Sequence, residues 1–501
     1  MIMKTKIYAL MALPLFLLVS CFSDDSNYDY AEPLDIQVEG IQDQYTVSPG
    51  DVIQLRPTVT PANRDYEYFW TITPASAQTL AAIDTVSTEQ SWDYTVDRSI
   101  GAYKLRFCAK DKQTGIFAYK EYNLNVSTDM ATGWWVLKGD AEGTDIDFFS
   151  DSKVKRNLVS SVNGRKMQGD PLNLHFTLEY WVFNESTLRD VQTTTVFAAS
   201  SGDIVALDYF TGKIVAGYDD LFVDLPAHRN VQAMFAGPSD VHVCVDNTVY
   251  TMFNSRYNIY KQFIIKTLGD YRLSPYRHCS HATLPLLFDE KTSSFCSVSR
   301  NSPNLDFFAD GTPSPKNLDM DMIYMGGKST TATSQGDVAL AVMKKKKADD
   351  YQLFTLNGYA SSVSRNPVQE VTALNSNLQM LKADYRALNQ NNNIIYFFKG
   401  NQLWACNLDN QSESEENIVL PAGEEVTYME FLKYSPYGLN DSWFDYLAIA
   451  TVKDGNYKLY LHPVSAARVL PAEKTFEGKG RVKRACFMEQ SSRGTYTTTL
   501  F

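Results

Sequence analysis

The sequence predicts an all-β protein in which an N-terminal β-sandwich is followed by a β-propeller. Between Leu34 and about Thr128, apolar and polar residues alternate with period two, as in strands that bury one face. From residue 133 onward, pairs of short strands recur at a regular interval, which is typical of propeller blades. The chain has 501 residues, is 44% hydrophobic and 13% aromatic, and is therefore large enough for two or three globular domains.

The first domain is predicted over residues 34–128, where six or seven short strands occur without a helical period. Turn-forming runs such as Ser48-Pro49-Gly50-Asp51 separate the strands. This pattern predicts an immunoglobulin-like β-sandwich with Trp70 in its core. The other expected inward positions are Leu34, Ile36, Val38, Ile53, Leu55, Val59, Tyr66, Tyr68, Ile72, Trp92, Tyr94, Val96, Tyr103, Leu105, Phe107, Tyr122, Leu124 and Val126.

The second domain is predicted over residues 133–501 as a seven-bladed propeller. Seven strand anchors recur at intervals of about 45 to 58 residues, close to the length of a four-stranded blade. The first blade lacks a strand, and residues Arg481 to Met488 are expected to supply it and close the ring. Six blades, eight blades or a pair of sandwiches are the alternatives. The anchors are Ile146, Ile204, Val249, Leu305, Leu353, Leu403 and Leu459.

The N-terminus has the pattern of a bacterial lipoprotein signal. Lys4 and Lys6 precede an apolar run that ends in Leu17-Leu18-Val19-Ser20-Cys21. The pattern predicts a signal peptide over residues 1–20, lipidation of Cys21 and a tether over residues 21–33. Because several acyl chains hold a protein stably on a bilayer, the mature chain is expected to be anchored by lipid. A short transmembrane anchor or a buried core helix is the alternative.

An acidic pair follows the lipidation site directly. Ser23-Asp24-Asp25 resembles the surface-export signal of Bacteroidota lipoproteins, which implies an outer-membrane protein that faces the cell exterior. A solvated tether that happens to be acidic is the alternative.

The first domain contains a central aromatic strand, Tyr68-Phe69-Trp70, and a later Gly-x-Tyr strand, Gly101-Ala102-Tyr103-Lys104-Leu105. These two segments resemble the PKD-type sandwich. With the lipoprotein signal and Gly133-Trp134-Trp135-Val136-Leu137, they resemble the PKD-like family of lipoproteins that accompany SusC/SusD-type nutrient importers in Bacteroidota. The resemblance implies an importer as partner and a spacer role for the sandwich.

No catalytic motif, metal site or cofactor site is predicted. The chain lacks a Gly-x-Ser-x-Gly elbow, a phosphate loop and a His-Glu-x-x-His helix. The run His278-Cys279-Ser280-His281 does not have the spacing of a zinc finger, and it is interpreted as polar loop residues. A net charge of -12 argues against binding to nucleic acid. Paired carboxylates for glycoside hydrolysis remain an alternative.

Six cysteines remain after Cys21, and most lie in strand-like runs, where they are expected to act as small buried hydrophobes. Cys279 and Cys296 are the pair close enough in sequence for a disulfide to be considered.

Two enlarged connections are the predicted ligand-binding loops. Loops on a rigid scaffold carry recognition, and aromatic, amide and guanidinium groups suit sugars or peptides. These loops predict non-catalytic binding of an oligosaccharide or peptide nutrient, and the family resemblance implies that this binding occurs beside a SusC/SusD-type importer. A polysaccharide hydrolase or lyase and a purely structural subunit are the alternatives. The first loop contributes Tyr271, Arg272, Tyr276, Arg277 and His278, and the second contributes Tyr434, Tyr437, Asn440 and Trp443.

Overall fold

The protein is all-β and divides into two compact units. The computed structural model describes residues 34–75, 84–98, 100–184, 189–236, 240–253, 261–279, 284–299, 302–329, 336–434, 444–491 and 494–498. The first unit lies within residues 34–45, 52–94 and 102–125, and the second within 46–51, 95–101 and 126–498. The predicted signal, Cys21 and the tether lie outside the described residues.

Among its described residues the N-terminal part contains nine strands, where six or seven were predicted, because the segment from Ile53 to Val59 forms two strands and two further strands occur. A sheet of order β2-β9-β8-β5-β6 is accompanied by the strand pairs β1-β4 and β3-β7. The strands are β1 (Gln37–Glu39), β2 (Gln44–Val47), β3 (Val52–Leu55), β4 (Thr58–Thr60), β5 (Tyr66–Pro74), β6 (Asp84–Ser87), β7 (Trp92–Thr95), β8 (Gly101–Asp111) and β9 (Phe117–Val126).

Trp70 lies at the centre of this core, as predicted. Its side chain is fully buried, its ring packs 4.6 Å from that of Phe107 on the neighbouring strand, and its indole N–H donates to the Glu89 carbonyl at 2.9 Å. Burial with a satisfied polar atom is the usual arrangement for a core tryptophan.

The second unit contains seven antiparallel sheets among its described residues, numbered here from the N-terminal one. In sheets 2 to 7, consecutive strands pair in antiparallel fashion, except that the last strand of sheet 7 pairs with the third. Sheet 1 contains β10 (Thr132–Asp140), β11 (Gly143–Phe149) and β12 (Val154–Lys155). Sheet 2 contains β13 (Pro171–Asn184), β14 (Arg189–Ser200), β15 (Asp203–Asp208) and β16 (Ile214–Ala216). Sheet 3 contains β17 (Val231–Ala236), β18 (Asp240–Val245), β19 (Thr248–Phe253) and β20 (Ile265–Lys266).

The remaining sheets continue the same pattern. Sheet 4 contains β21 (Leu287–Asp289), β22 (Ser294–Ser297) and β23 (Asp306–Phe307). Sheet 5 contains β24 (Met320–Lys328), β25 (Val338–Lys345), β26 (Tyr351–Asn357) and β27 (Val368–Leu374). Sheet 6 contains β28 (Arg386–Leu388), β29 (Ile394–Lys399), β30 (Gln402–Asn407) and β31 (Ser412–Val419). Sheet 7 contains β32 (Glu425–Tyr434), β33 (Phe444–Lys453), β34 (Asn456–Ser465), β35 (Arg468–Val469) and β36 (Lys474–Lys479).

Sheet 1 is completed by the C-terminal part of the chain. Strand β37 (Arg481–Ser491) pairs with β10, with Trp135 opposite Cys486, and β38 (Gly494–Thr497) pairs with β37. The prediction that Arg481 to Met488 would supply a strand to the first repeat is confirmed by this pairing. The predicted anchors lie in the third strand of sheets 2, 3, 5, 6 and 7. Ile146 lies in β11, the third strand of sheet 1 when β37 is counted as the first, and Leu305 immediately precedes β23.

Apolar clusters join the sheets in chain order, and the cluster of sheet 7 also contains residues of sheet 1. Strands whose two faces are both buried lose their polar alternation, which explains runs such as Ala339 to Met343 of β25, where all five residues are apolar and buried. The pairs that share a cluster are Leu137 with Val196, Phe197 with Val243, Phe235 with Leu287, Phe288 with Phe354, Val342 with Ile395, Tyr396 with Phe431, and Leu459 with Val136.

Helical structure is sparse in the described ranges: an α-helix, α1 (Leu158–Asn163), and a 3-10 turn at Gln379–Lys382. Neither of them is long and apolar enough to cross a membrane. The strand order and the packing of successive sheets make the second unit a β-propeller-like fold.

Candidate functional site

A cavity of about 320 Å³ lies where six segments of the second unit meet. We call it the central cavity. Its size is at the lower end of the roughly 300–1,000 Å³ of small-molecule sites. Five of the segments belong to the first strands of sheets 2, 5, 6 and 7 and to β37 of sheet 1. The segments are 172–173, 275–277, 324–327, 385–388 with 390, 427–431 and 483–484.

The sixth segment comes from the first predicted loop, which links sheets 3 and 4 as expected. Bridges from Leu273 to Asp289 and from His278 to Leu286 add this segment alongside β21. The added segment covers that strand and places Tyr276 and Arg277 in the cavity wall.

Two half-buried arginines in the wall bond to main-chain carbonyls. Nη2 of Arg277 donates to the Met234 carbonyl at 3.0 Å, and its guanidinium lies 5.4 Å from the Phe235 ring centroid. Nε of Arg386 donates to the Met380 carbonyl at 2.6 Å. Among the described residues neither arginine forms an ion pair. Burial lowers the pKa of both guanidinium groups, which nevertheless stay charged at neutral pH.

A third arginine has a carboxylate partner. Nη1 of Arg484 lies 2.7 Å from Oε2 of Glu430, and the Tyr428 hydroxyl donates to the same oxygen at 2.6 Å. Burial raises the pKa of Tyr428, and the negative charge of Glu430 raises it further. The neighbouring Lys483 is exposed, so the wall has more positive than negative side chains.

Gln390 places an unsatisfied acceptor at the cavity. Its side chain is only 3% exposed, and its Nε2 donates to the Phe431 carbonyl at 2.9 Å. Its Oε1 is buried and has no hydrogen-bond partner in the described part of the chain. Because a buried acceptor without a partner costs about 1–3 kcal/mol, a small rotation of this side chain toward a ligand donor in the cavity would recover that free energy.

Tyrosines supply the apolar part of the wall. The rings of Tyr276 and Tyr324 meet edge to face with centroids 6.0 Å apart, and the Tyr324 hydroxyl accepts from the Leu388 amide at 2.7 Å. Tyr385 is half-buried beside them. The cavity can therefore combine ring contacts with hydrogen bonds and positive charge.

Of the predicted ligand-binding residues, Tyr276 and Arg277 line this cavity and Arg272 does not. Arg272 is exposed, and its Nε lies 2.7 Å from Oε2 of Glu290. Tyr437, Asn440 and Trp443 lie outside the described residues.

The structure corrects the prediction at Tyr271, His278 and Tyr434, which are buried inside the protein. The Tyr271 hydroxyl donates to the Thr267 carbonyl at 3.0 Å, and the Tyr434 hydroxyl donates to Glu489 at 2.7 Å. Nε2 of His278 donates to the Gly336 carbonyl at 2.8 Å. Burial lowers the pKa of His278 to about 4, so the imidazole is neutral at physiological pH.

Gln390, Arg386, Lys483 and Arg484 were not predicted as site residues, because Arg386, Lys483 and Arg484 lie in strands and Gln390 lies in the short turn after β28, outside the two enlarged loops. The sequence feature that could have indicated them is a pair of charged residues inside a strand-like run, as in Val482-Lys483-Arg484-Ala485-Cys486. Charged residues are rarely buried in a strand without a partner or a function.

The cysteines and histidines do not assemble into a metal centre in the described ranges, where no group of three or more His, Cys, Asp or Glu is suitably placed. Cys279 and Cys296 are both buried in the apolar cluster between sheets 3 and 4. Burial raises the pKa of Cys296 well above its ordinary value, so its thiol is protonated and packs as a hydrophobe.

A larger cavity of about 640 Å³ lies between sheets 7 and 1. We call it the peripheral cavity. At its base the buried Asp147 bonds to the Tyr457 hydroxyl at 2.7 Å, the Asn157 amide at 2.8 Å and Arg156 at 3.1 Å. The buried ammonium of Lys138 lies 3.4 Å from the same carboxylate. Because these polar groups satisfy one another, we regard the central cavity as the candidate site.

Comparison with known proteins gives a family match for the N-terminal part. Residues 21–171 match the model of the PKD-like family. The matched range contains the sandwich strands and β10, β11 and β12 of sheet 1. Among curated proteins, none matches the sequence.

Similar solved structures are distant. A quinoprotein alcohol dehydrogenase-like protein from Bacteroides thetaiotaomicron is 12% identical with a TM-score of 0.40, over 89% of this chain and 96% of that one. The WD40 domain of SCAP from fission yeast is 10% identical with a TM-score of 0.33, over 65% and 78%. A DUF4784 family protein from Bacteroides caccae is 10% identical with a TM-score of 0.29, over 76% and 95%.

Proposed function

We propose that this chain is a non-catalytic binding protein that holds a small oligosaccharide or peptide nutrient in the central cavity. The observation that carries the proposal is the buried Oε1 of Gln390, an acceptor without a partner in the described part of the chain, in a wall that also contains tyrosines and arginines. Such a mixture of ring surfaces and a few placed polar groups suits a small ligand.

We propose further that the seven sheets are the blades of one closed propeller. The shared clusters from each sheet to the next, and from sheet 7 back to sheet 1, support this arrangement. So does the pairing of β37 with β10, which leaves neither end of the array as an open edge.

A binding role suits the wall better than hydrolysis does. Glu430 is the one carboxylate in the described wall, and it is already bonded to Arg484 and Tyr428. Most glycoside hydrolases need two carboxylates that flank the scissile bond. Binding without turnover is therefore the proposal, and a hydrolase or lyase is the competing one.

For location, we propose that Cys21 carries the lipid anchor and that the protein works on the outer face of the outer membrane beside a SusC/SusD-type importer. The lipoprotein signal, the acidic pair after Cys21 and the PKD-like match over residues 21–171 support this role. In this proposal the sandwich acts as a spacer between the membrane and the propeller.

The binding proposal is tested by calorimetry with a panel of oligosaccharides and short peptides. Tyr276→Ala removes a ring from the wall and is expected to weaken binding about 10-fold or more, because an aromatic contact contributes on the order of 1.5 kcal/mol. The control, Arg272→Ala, changes an exposed residue outside the cavity and should bind as the unaltered protein does. No binding by the unaltered protein would favour a structural subunit, and turnover of a bound glycan would favour the enzyme.

The location is tested in cells. Cys21→Ser should release the protein from the membrane, and purification of the anchored protein from native membranes should recover an importer of the SusC/SusD type. A Ser20→Ala control retains a small residue before the cysteine and should stay anchored. An anchored Cys21→Ser protein, or an anchored wild type without an importer, would contradict the respective part of the proposal.

A further inference from the structure

We infer that the ligand of the central cavity is an acidic oligosaccharide and that Arg277 with Arg386 binds its carboxylate. This inference deepens the proposed function and rests on it. It concerns the chemical class of the ligand, which the binding proposal leaves open between sugars and peptides.

The first argument is that the cavity wall is positively charged although the chain as a whole is negatively charged. The whole chain has a net charge of -12, whereas the cavity wall contains Arg277, Arg386, Lys483 and Arg484 against the single carboxylate of Glu430. Because Arg484 pairs with that carboxylate at 2.7 Å, the positive charge left over belongs to the other three residues. A concave wall of one sign attracts ligands of the opposite sign.

The second argument is how the two arginines are bonded. Arg277 donates to the carbonyls of Met234 and Pro275, and Arg386 to those of Met380 and Leu381. Carbonyl oxygens fix the direction of a guanidinium group but do not neutralise its charge. Burying a charge without a directly bonded counter-ion is costly, so a ligand carboxylate would supply the close ion pair that neither arginine has among the described residues.

The third argument favours a sugar over a peptide. The unpartnered Oε1 of Gln390 requires a donor, while the arginines require an anion. A uronic acid carries hydroxyl donors and a carboxylate on one rigid ring, and its apolar face can pack on Tyr276 or Tyr385. A rigid ligand also loses less conformational entropy than a flexible acidic peptide in a cavity of about 320 Å³.

The experiment measures calorimetric affinity of the full chain for oligosaccharides of galacturonate, mannuronate, glucuronate and sialic acid, and for the same compounds with their carboxyl groups reduced. At least one acidic compound is expected to bind 10-fold or more tightly than its reduced counterpart. The preference should shrink as salt rises, because a charge pair is screened.

Variants assign the carboxylate to the arginines. Arg277→Gln should weaken binding of the acidic compound about 10-fold and leave the affinity for the reduced compound unchanged, whereas Arg272→Gln should change neither. Arg277 is half-buried, so its substitution can also destabilise the fold, and the exposed Lys483 therefore provides a second variant. Lys483→Gln should lower the preference for the acidic over the reduced compound at least 2-fold without altering the unfolding temperature.

Three results would overturn the inference in distinguishable ways. Equal affinity for acidic and reduced compounds would refute the acidic ligand and leave the proposed function intact. Binding of acidic peptides alone would refute the sugar and again leave the proposed function intact. No binding by any sugar or peptide in either panel would refute the proposed function, and this inference with it.

Discussion

The central and peripheral cavities are built from similar side chains but differ in how those side chains are satisfied. In the peripheral cavity the carboxylate of Asp147 is fully buried and has partners on three elements, among them Tyr457 and Arg156. In the central cavity Arg277 and Arg386 donate hydrogen bonds to main-chain carbonyls and have no ion pair, and Oε1 of Gln390 has no hydrogen-bond partner, among the described residues. A network in which every polar group has a partner stabilises the fold, whereas polar groups that lack a partner can bind a ligand.

This difference matters because cavity size alone would have selected the peripheral cavity, which is about 640 Å³ against about 320 Å³. Substitutions in the peripheral cavity should therefore lower stability and leave binding unchanged. Substitutions in the central cavity should weaken ligand binding and leave stability nearly unchanged.

The largest effect on stability is expected for Asp147→Asn. The substitution leaves the ammonium of Lys138, which is 3% exposed, without its buried counter-ion. Breaking a buried ion pair from one side typically costs about 3–5 kcal/mol, so the free energy of unfolding in urea should fall by roughly that amount.

Asp219→Asn is the matched control for this substitution. It removes a pair with Arg229 in which both side chains are largely exposed, at 62% and 42%. Such pairs contribute about 0–1 kcal/mol. Equal losses in the two variants would show that the Asp147 network is not what stabilises the junction of sheets 7 and 1.

A smaller, pH-dependent effect is expected for Glu424, whose carboxylate is also in the peripheral cavity. Burial would raise its pKa, but hydrogen bonds from Thr451, Tyr460 and Lys458 outweigh burial and hold the pKa below the ordinary 4.5. A depressed pKa in the folded state means stability that is present above pH 4.5 and is lost as the pH falls through the folded-state value.

Glu424→Gln should therefore cost about 2 kcal/mol at pH 7, the usual contribution of hydrogen bonds to a charged group, and less as the pH falls below 4.5. Urea unfolding of both proteins between pH 3 and 7 checks this. Glu477→Gln removes an exposed carboxylate from the same cavity and should cost little at any pH. A deficit in Glu424→Gln that stays constant down to pH 3 would rule out the carboxylate as its source.

The strands of the second unit could be predicted from the sequence to a larger extent than its cavities. The hairpins were predictable because alternation and tight turns are local properties, as for Ile394–Lys399 and Gln402–Asn407. The strand from Arg481 onward was predictable because the first repeat lacked one.

The site was not predictable in the same way, because its wall is assembled from segments far apart in the chain, from Leu172 to Arg484. Similar short sequences did not predict similar side-chain surroundings either. Ile146-Asp147-Phe148-Phe149 and Leu305-Asp306-Phe307-Phe308 have the same pattern. Asp147 is fully buried in an ion network, whereas Asp306 is half-buried and accepts from the Ser299 hydroxyl at 2.9 Å.

The smallest effect on stability is expected for Gln390→Met, although its effect on binding should be large. The substitution removes the unpartnered Oε1, which favours the folded state, and also removes the bond from Nε2 to the Phe431 carbonyl, which disfavours it. Each change is worth about 1 kcal/mol, so the free energy of unfolding should change by less than about 1 kcal/mol. Affinity for a ligand of the central cavity should fall about 10-fold, because its donor would then face a thioether. If Gln390→Met instead destabilised the fold as much as Asp147→Asn does, Gln390 would be a structural residue like those of the peripheral cavity, and the distinction between the two cavities would be lost.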